Sequence, residues 1–190
     1  MDSCHTWAVS AAHPEVRIRA ERPDDSGAIR DLVAAAFAPD ESVAPLVDKI
    51  RASSRYVAAL SLVAVTDGAV VGHIMLSHAD VVDASGVARQ VLALSPLAVA
   101  VSQQRTGIGG RLVAEAVARA DSMGEPLVVV EGHPGYYPMF GFTRAGDLGI
   151  EITLPEWAPP EAAMALGLSG HDPAIRGRLV YPPAFDDVVG

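Results

Sequence analysis

The most informative stretch of this chain reads Gln104-Arg105-Thr106-Gly107-Ile108-Gly109-Gly110. It follows an apolar run, residues 91–101, that is typical of a buried strand. It also opens a segment whose apolar residues recur at the spacing of one helix face, namely Leu112, Val113, Ala116, Val117 and Ala120. We therefore predict a strand, a tight turn and a helix, with Thr106 as the N-cap and Gly124 as the stop.

The predicted turn is suited to binding an anion. The first turn of a helix carries backbone N–H groups without an intrahelical partner, and the peptide dipoles favour negative charge there. Gly107, Gly109 and Gly110 lack the side chains that would keep a phosphate away from these donors. The turn therefore predicts a pyrophosphate site, and a purely structural strand-to-helix turn is the alternative.

Two other nucleotide-binding motifs do not fit the residues around these glycines. The dinucleotide fingerprint Gly-x-Gly-x-x-Gly requires a third glycine where Leu112 stands. The triphosphate-binding loop requires a Lys-Ser or Lys-Thr pair after the glycines, and none follows them. A dinucleotide-binding fold is also opposed by the hairpin signal Asp67-Gly68, which precedes the turn in the chain.

Composition restricts the class of protein. With 50% hydrophobic and 19% charged residues in 190 positions, the sequence is typical of one globular domain. We expect residues 1–15 to form a flexible N-terminal leader and residues 16–190 to form the domain. The formal charge of -9 disfavours nucleic acid and anionic membrane surfaces as partners and favours a cationic substrate.

Cysteine and histidine usage indicates a reducing compartment and no metal site. Cys4 is the single cysteine, so no intramolecular disulfide can form, and we expect a cytoplasmic protein. The histidines are scattered, and His73 and His78 would point to opposite faces of a strand. No run approaches the roughly twenty apolar residues of a membrane span.

The rest of the chain predicts a mixed sheet with helices. A short strand at residues 16–20 precedes two amphipathic helices. Residues 57–66 and 69–79 are apolar runs joined by Asp67-Gly68, which predicts a hairpin. Residues 126–131 are typical of a buried strand, so residues 91–131 form a crossover between parallel neighbours.

The C-terminal third is less regular. Residues 132–142 are too rich in Gly and Pro for a long helix, so we predict one or two helical turns that end at Gly141. Residues 150–154 are predicted as a strand, and residues 163–168 suit either a strand or a helix. Residues 178–181 lead into Pro182-Pro183-Ala184-Phe185, which we expect to be a docked tail.

Three motifs occur in order along this chain. They are Pro-Leu-Ala-Val at residues 96–99, Gln-x-x-Gly-x-Gly at 104–109 and Tyr-x-x-x-Gly-Phe at 137–142. Together they resemble the GNAT superfamily of acyl-CoA-dependent N-acetyltransferases. The longer stretch Gly-His-Pro-x-Tyr-Tyr-Pro-x-Phe-Gly-Phe at 132–142, with Tyr-Pro-Pro-Ala-Phe at 181–185, is similar to the YhbS-type branch of that superfamily.

The resemblance implies an α/β (α+β) GNAT fold: a mixed, mostly antiparallel sheet with a central splayed parallel strand pair and helices on both faces. It implies an acyltransferase that moves the acetyl group of acetyl-CoA to a primary amine of a small molecule, by direct attack through a tetrahedral intermediate and without a metal. A non-catalytic acyl-CoA-binding or sensing module is the alternative, which Tyr137 opposes. The resemblance leaves a homodimer open, because no sequence feature specifies an interface.

The resemblance also implies roles for individual residues. Backbone groups of Leu97, Ala98 and Val99 would pair with the pantetheine arm of acetyl-CoA, and the N–H of Val99 or its neighbour would face the thioester oxygen. Tyr137 falls on the family tyrosine near the coenzyme sulfur and is the candidate general acid. The pyrophosphate would be held by Gln104, Arg105, Thr106, Gly107, Ile108, Gly109 and Gly110.

Two residues are candidates for accepting the proton of the amine. Glu131, at the end of the predicted strand, points toward the cleft if the strand pair is splayed, and Ser95 could orient a water. The family commonly has an apolar residue at the position of Glu131, so no role is carried over to it, and a solvated strand-end carboxylate is the alternative. The branch usually has Phe-Met where Ala163-Met164 stands, which predicts a roomier acceptor pocket.

Overall fold

A computed structural model describes residues 15–188 of the chain. The expected leader, residues 1–15, lies outside this range apart from Glu15. The helices are α1 (Ser26–Phe37), α2 (Val43–Arg51) and α3 (Ile108–Ser122). The strands are β1 (Arg17–Ala20), β2 (Tyr56–Thr66), β3 (Ala69–Val82), β4 (Ala88–Val99), β5 (Leu127–Glu131), β6 (Thr143–Arg144), β7 (Ile150–Glu151), β8 (Ala163–Gly167) and β9 (Gly177–Val180).

The described strands form one mixed sheet in the order β1-β2-β3-β4-β5-β8-β6, and β9 pairs with both β3 and β7. The pairs β4–β5 and β7–β9 are parallel, whereas the others are antiparallel. Asp67 and Gly68 both have positive φ, which is the backbone of a type I′ turn and joins β2 to β3 as predicted. The predicted fold class is confirmed, including the crossover through α3.

The two parallel strands at the centre of the sheet diverge. They pair at only two positions, which are Leu92 with Val128 and Ala93 with Val129. Beyond these positions, residues 94–99 of β4 continue along β3, whereas residues 130–131 of β5 continue along β8. The gap between these two segments is the wedge.

A bulge in β4 lies at the start of the wedge. Ser95 and Pro96 both stand opposite the single residue Met75 of β3. An extra residue of this kind bends a strand and increases its twist. The bulge therefore helps to direct the end of β4 away from β5.

Helices cover both faces of the sheet, as predicted. On one face, α3 packs against residues such as Leu62, Leu92 and Val128, and on the other α1 and α2 pack against residues such as Val63 and Met75. Each of these side chains is almost completely buried. Burial of one such side chain stabilises the folded state by roughly 1.5–3 kcal/mol relative to leaving it exposed, so packing on both faces stabilises the sheet.

A largely buried ionic cluster joins the residue after β1 to α2 and β2 on the α1–α2 side of the sheet. Glu21 accepts hydrogen bonds from Arg51 Nε (2.8 Å), the Tyr56 hydroxyl (2.7 Å) and Ser61 Oγ (2.6 Å). Burial raises the pKa of Glu21, but the three donors outweigh it and hold that pKa below its usual value. These four residues are the Glu21 cluster.

The C-terminal third differs in part from the sequence prediction. The strand expected at residues 150–154 is only Ile150–Glu151, because the chain turns at Pro155, whose carbonyl accepts a hydrogen bond from the amide of Ala158. The segment that suited either a strand or a helix is β8, which pairs with β5 along its whole length. Within residues 15–188, no helix has the length and apolar character needed to cross a membrane.

Candidate active site

The backbone of β4 lines the wedge through alternate residues. The amide of Ala100 donates to the carbonyl of Val71 at 2.9 Å, so the backbone groups of Ala98 also point toward β3. The prediction that backbone groups of Ala98 pair with pantetheine was therefore wrong, because β3 already binds them. The N–H and C=O groups of Leu97 and Val99 therefore point to the other side, into the wedge. These groups can continue the sheet with an extended ligand.

The turn before α3 has its first helical hydrogen bond at Arg111, whose amide donates to the carbonyl of Gly107 at 3.1 Å. The amides of Ile108, Gly109 and Gly110 precede that bond and are the N-terminal donors of the helix. Such donors at the positive end of a helix dipole are suited to binding a phosphate group.

The predicted N-cap was wrong by one residue. The N-cap is Gly107, with φ 89°, and not Thr106. The hydroxyl of Thr106 instead donates to the carbonyl of Gln103 at 2.6 Å, which tightens the loop before the helix. Arg105 also has positive φ, so the chain turns through two left-handed residues.

The glycines of this turn have two different roles. Gly107 adopts a left-handed conformation and faces open space, as the anion-binding interpretation requires. At Gly109 an added Cβ would lie 2.8 Å from the hydroxyl oxygen of Tyr136, and at Gly110 it would lie 3.3 Å from the ring of Phe140. These two glycines therefore also allow the segment after β5 to pack against α3.

Gln104 connects the turn to the wedge. Its side-chain amide donates to the carbonyl of Val99 at 3.3 Å. The carbonyl of the last β4 residue and the turn are thereby held close together. The structure thus brings the predicted pantetheine-binding strand and the predicted pyrophosphate-binding turn into one continuous surface.

Tyr137 lies on the α3 side of the sheet, at the end of β5. It begins a turn of 3-10 helix, Tyr137–Phe140, that ends at Gly141 as predicted. The side chain is only 8% exposed and packs edge-on against Tyr136 and Phe142, with ring centroids 5.2 and 5.5 Å away. Burial, with a smaller contribution from Tyr136, raises the pKa of Tyr137 far above its usual value.

Gly132 supports the ring of Tyr137. An added Cβ at this position would lie 2.8 Å from the ring atom Cδ2 and still closer to Cε2. The glycine therefore lets the ring lie directly on the backbone that follows β5. No sequence argument singled out Gly132, although a glycine between a buried strand and an aromatic pair is a signal of close packing.

Glu131 lies on the opposite side of the sheet from Tyr137. Side chains alternate along β5: Val128 and Val130 pack on the α3 side, whereas Leu127 and Val129 pack on the other side. The carboxylate of Glu131 follows Val129 to that other side. The two predicted catalytic residues therefore approach the end of the wedge from opposite faces.

The carboxylate of Glu131 accepts a hydrogen bond from the hydroxyl of Tyr181, at 2.7 Å to Oε1. Burial raises the pKa of Glu131, and the hydrogen bond from Tyr181 opposes that rise. The pKa of Tyr181 is also raised, first by burial and then by the negative charge of Glu131. The alternative interpretation, a fully solvated strand-end carboxylate, does not fit this half-buried pair.

The two remaining sequence candidates lie nearby. Ser95 is in the bulge of β4, and Ala163 pairs directly with Glu131 across β5 and β8. The side chain beside the carboxylate is therefore a single methyl group. Among the described residues, no group of three His, Cys, Asp or Glu side chains is placed to hold a metal ion.

Comparison with known proteins agrees with this geometry. The sequence-family model of the acetyltransferase (GNAT) domain matches residues 17–145 of this chain. The chain is 35% identical over 170 residues to the uncharacterised N-acetyltransferase YjhQ of Escherichia coli K12, with 82% of this chain and 92% of that protein covered.

Solved structures of similar proteins contain the coenzyme. The GNAT family N-acetyltransferase YhbS from Escherichia coli, solved in complex with CoA, superposes with a TM-score of 0.82 at 27% identity over 94% of this chain and 96% of that chain. A GNAT family acetyltransferase from Brucella melitensis, in complex with acetyl-CoA, gives a TM-score of 0.74 at 31% identity over 92% of this chain and 100% of that chain.

Proposed function

Because this chain belongs to the GNAT family of acetyltransferases, we propose that it transfers the acetyl group of acetyl-CoA to a primary amine of a small cationic molecule. The observation that carries the proposal is the wedge, where the last residues of β4 and β5 separate beside the N-terminus of α3. In this proposal residues 16–190 act as one catalytic domain in the cytoplasm.

The residues around the wedge fit acetyl-CoA as the acetyl donor. Backbone groups of Leu97 and Val99 pair with the pantetheine arm, and Ala98 between them keeps β4 bound to β3. The pyrophosphate lies against the turn of Gln104, Arg105, Thr106, Gly107, Ile108, Gly109 and Gly110, with the amides at the start of α3 as its donors. The relatives solved with CoA and acetyl-CoA support this assignment.

The backbone N–H of Val99 stabilises the negative charge that develops on the thioester oxygen. It points into the wedge and is fixed by the sheet, so it needs no reorganisation during the reaction. Deleting one such oriented donor in other enzymes costs about 3–4 kcal/mol of transition-state stabilisation.

Tyr137 is the general acid. Its raised pKa keeps the phenol protonated throughout the neutral and mildly basic range, so it has a proton for the departing thiolate. A thiol has a pKa of about 8.5, well below that of this phenol, so the phenol stabilises the departing thiolate by donating a hydrogen bond and keeps its own proton once the thiolate has left. Tyr137 also contacts the coenzyme near its sulfur.

Glu131 is the general base. Its half-buried carboxylate attracts a cationic acceptor and takes the proton that the amine must lose for attack. The methyl side chain of Ala163 directly opposite leaves room for the acceptor beside this carboxylate. The net charge of -9 adds a long-range attraction for cations.

The test is release of thiol from acetyl-CoA across a panel of primary amines that includes polyamines, amino sugars and amino acids. We expect turnover with a cationic amine, and in Tyr137→Phe we expect kcat to fall on the order of 10²-fold. The dissociation constant of CoA should stay unchanged, because the ring and its packing remain.

Tyr56→Phe is the matched control, since it removes another half-buried phenol that lies in the Glu21 cluster. It should keep the wild-type kcat. Tight binding of CoA without turnover on any amine would favour the alternative, a non-catalytic acyl-CoA-binding module.

A further inference from the structure

Tyr181 and Glu131 are fifty residues apart in sequence and are joined by one short hydrogen bond. Glu131 is the last residue of β5, and Tyr181 follows directly after β9. Because β9 pairs with β3 rather than with β8, the C-terminal segment returns across the sheet to the side on which Glu131 lies. The contact is therefore a product of the long-range topology.

We propose that Tyr181 is a positioning residue for acetyl transfer: its phenol holds Oε1 of Glu131 so that Oε2 faces the acceptor amine at the end of the wedge. Tyr181 itself touches neither the acceptor nor acetyl-CoA. The proposal rests on the proposed function, because it gives Glu131 the role of the base.

The phenol is well placed to fix the carboxylate. The ring of Tyr181 stacks on Phe185, with centroids 4.9 Å apart and an interplanar angle of 28°. Phe185 is 2% exposed and packs into the core formed by α1 and α2. A ring held in this way has little rotamer freedom, so its hydroxyl defines one orientation for the carboxylate.

Tyr181 is also the one hydrogen-bond partner of the Glu131 carboxylate within residues 15–188. On the flanking strand β8, the residues Ala163–Gly167 are all non-titratable. The charged or titratable side chains on the surrounding elements do not affect the pKa of Glu131, for which burial and Tyr181 are the causes. They are His73, His78 and Asp80 on β3, Arg89 on β4, Arg144 on β6, Glu151 on β7, Arg178 on β9, His133, Tyr136 and Tyr137 after β5, and Asp186 after Tyr181. A change in the protonation of Glu131 can therefore be traced to Tyr181.

The hydrogen bond favours the ionised carboxylate, and burial opposes ionisation. Removing the phenol proton donor should therefore raise the pKa of Glu131 further. Since a hydrogen bond to a charged group contributes about as much as one pKa unit, the expected shift is about one pH unit upward. The acidic limb of the pH–rate profile, where activity rises as Glu131 loses its proton, should shift to higher pH by the same amount.

The experiment measures kcat and kcat/KM against pH with acetyl-CoA and the best amine of the panel, for wild type, Tyr181→Phe and Glu131→Gln. Tyr181→Phe should move the acidic limb up by about one pH unit and lower kcat roughly ten-fold, with KM for acetyl-CoA unchanged. Glu131→Gln should abolish the limb.

Carbon-13 NMR of the Glu131 side-chain carboxyl, assigned with Glu131→Gln, measures the same pKa in the CoA-bound protein without any acceptor. The pKa of Glu131 measured in this way should rise in Tyr181→Phe by as much as the acidic limb of the pH–rate profile shifts. Tyr56→Phe is the matched control, because it removes an equivalent phenol-to-carboxylate bond at Glu21, also 2.7 Å long. That variant should lower thermal stability and leave the limb and the Glu131 pKa in place.

Three results would overturn the proposal. If Tyr181→Phe is active and the acidic limb of its pH–rate profile does not shift, the hydrogen bond between Tyr181 and Glu131 only anchors the C-terminal segment. A shifted carboxyl titration without a shifted limb would mean that Glu131 is not the base that limits the rate. Absence of thiol release with every amine would remove the proposed function itself, and with it the role of Tyr181.

Discussion

Gly132→Ala should impair catalysis by displacing Tyr137. The new Cβ would lie 2.8 Å from Cδ2 and 3.3 Å from Cζ of that ring, whereas carbon atoms in contact are about 3.5–4.0 Å apart. The ring must therefore retreat by about 1 Å, and Tyr136 and Phe142 pack against it and resist the movement. A misplacement of that size costs on the order of 10²-fold in rate.

The assay is kcat with saturating acetyl-CoA, together with a CoA titration and thermal unfolding. We expect overpacking to cost roughly 1–3 kcal/mol of stability. The dissociation constant of CoA should change little, since Leu97, Val99 and the turn before α3 are untouched. Gly146→Ala is the matched control, because an added Cβ there meets nothing within 4 Å and φ is not positive.

A double variant separates the effect on Tyr137 from other effects of the substitution. If Gly132→Ala acts through Tyr137, adding it to Tyr137→Phe should lower kcat little further, because both changes remove the same contribution. Additive losses, or a stable Gly132→Ala protein with wild-type kcat, would show that Gly132 does not act by holding the ring of Tyr137 in place.

His73 and Gly27 affect the stability of the fold rather than catalysis. His73 is completely buried, and burial lowers its pKa from 6.5 to about 4. The unfolded chain therefore binds the proton first as pH falls, so stability should drop by about 2 kcal/mol between about pH 7 and pH 5. Urea unfolding at these two pH values should show a smaller loss of stability in His73→Leu than in wild type. An equal loss would mean that groups other than His73 cause the pH dependence. Gly27→Ala, in α1 with nothing within 4 Å of the new Cβ, should raise stability by roughly 0.5–1 kcal/mol and the melting temperature by about 2 °C. A lower melting temperature would contradict it.

Local sequence signals predicted the elements that build the wedge. The positive φ angles of Asp67 and Gly68 follow from their residue types, and the apolar period of α3 reflects the face that it buries. The N-cap prediction was wrong because the hydroxyl of Thr106 can either cap the helix or bond the loop before it. It donates to the carbonyl of Gln103, and Gly107 is the N-cap. Local propensity does not decide between such competing bonds.

Contacts between distant segments were the part that the sequence did not reveal. The pairing of β9 with β3 brings Tyr181 to Glu131, and no local pattern near either residue encodes that approach. One general signal existed, since a buried tyrosine hydroxyl usually finds a polar partner. The partner itself depends on the topology of the whole sheet.

The most direct test of acetyl transfer is mass spectrometry of the amine after incubation with carbon-13-labelled acetyl-CoA and the purified protein. We expect a labelled amide in amounts equal to the CoA released, formed from a cationic primary amine and strongly reduced in Tyr137→Phe. CoA that binds to the wedge with no labelled amide from any cationic, neutral or acidic amine would contradict it.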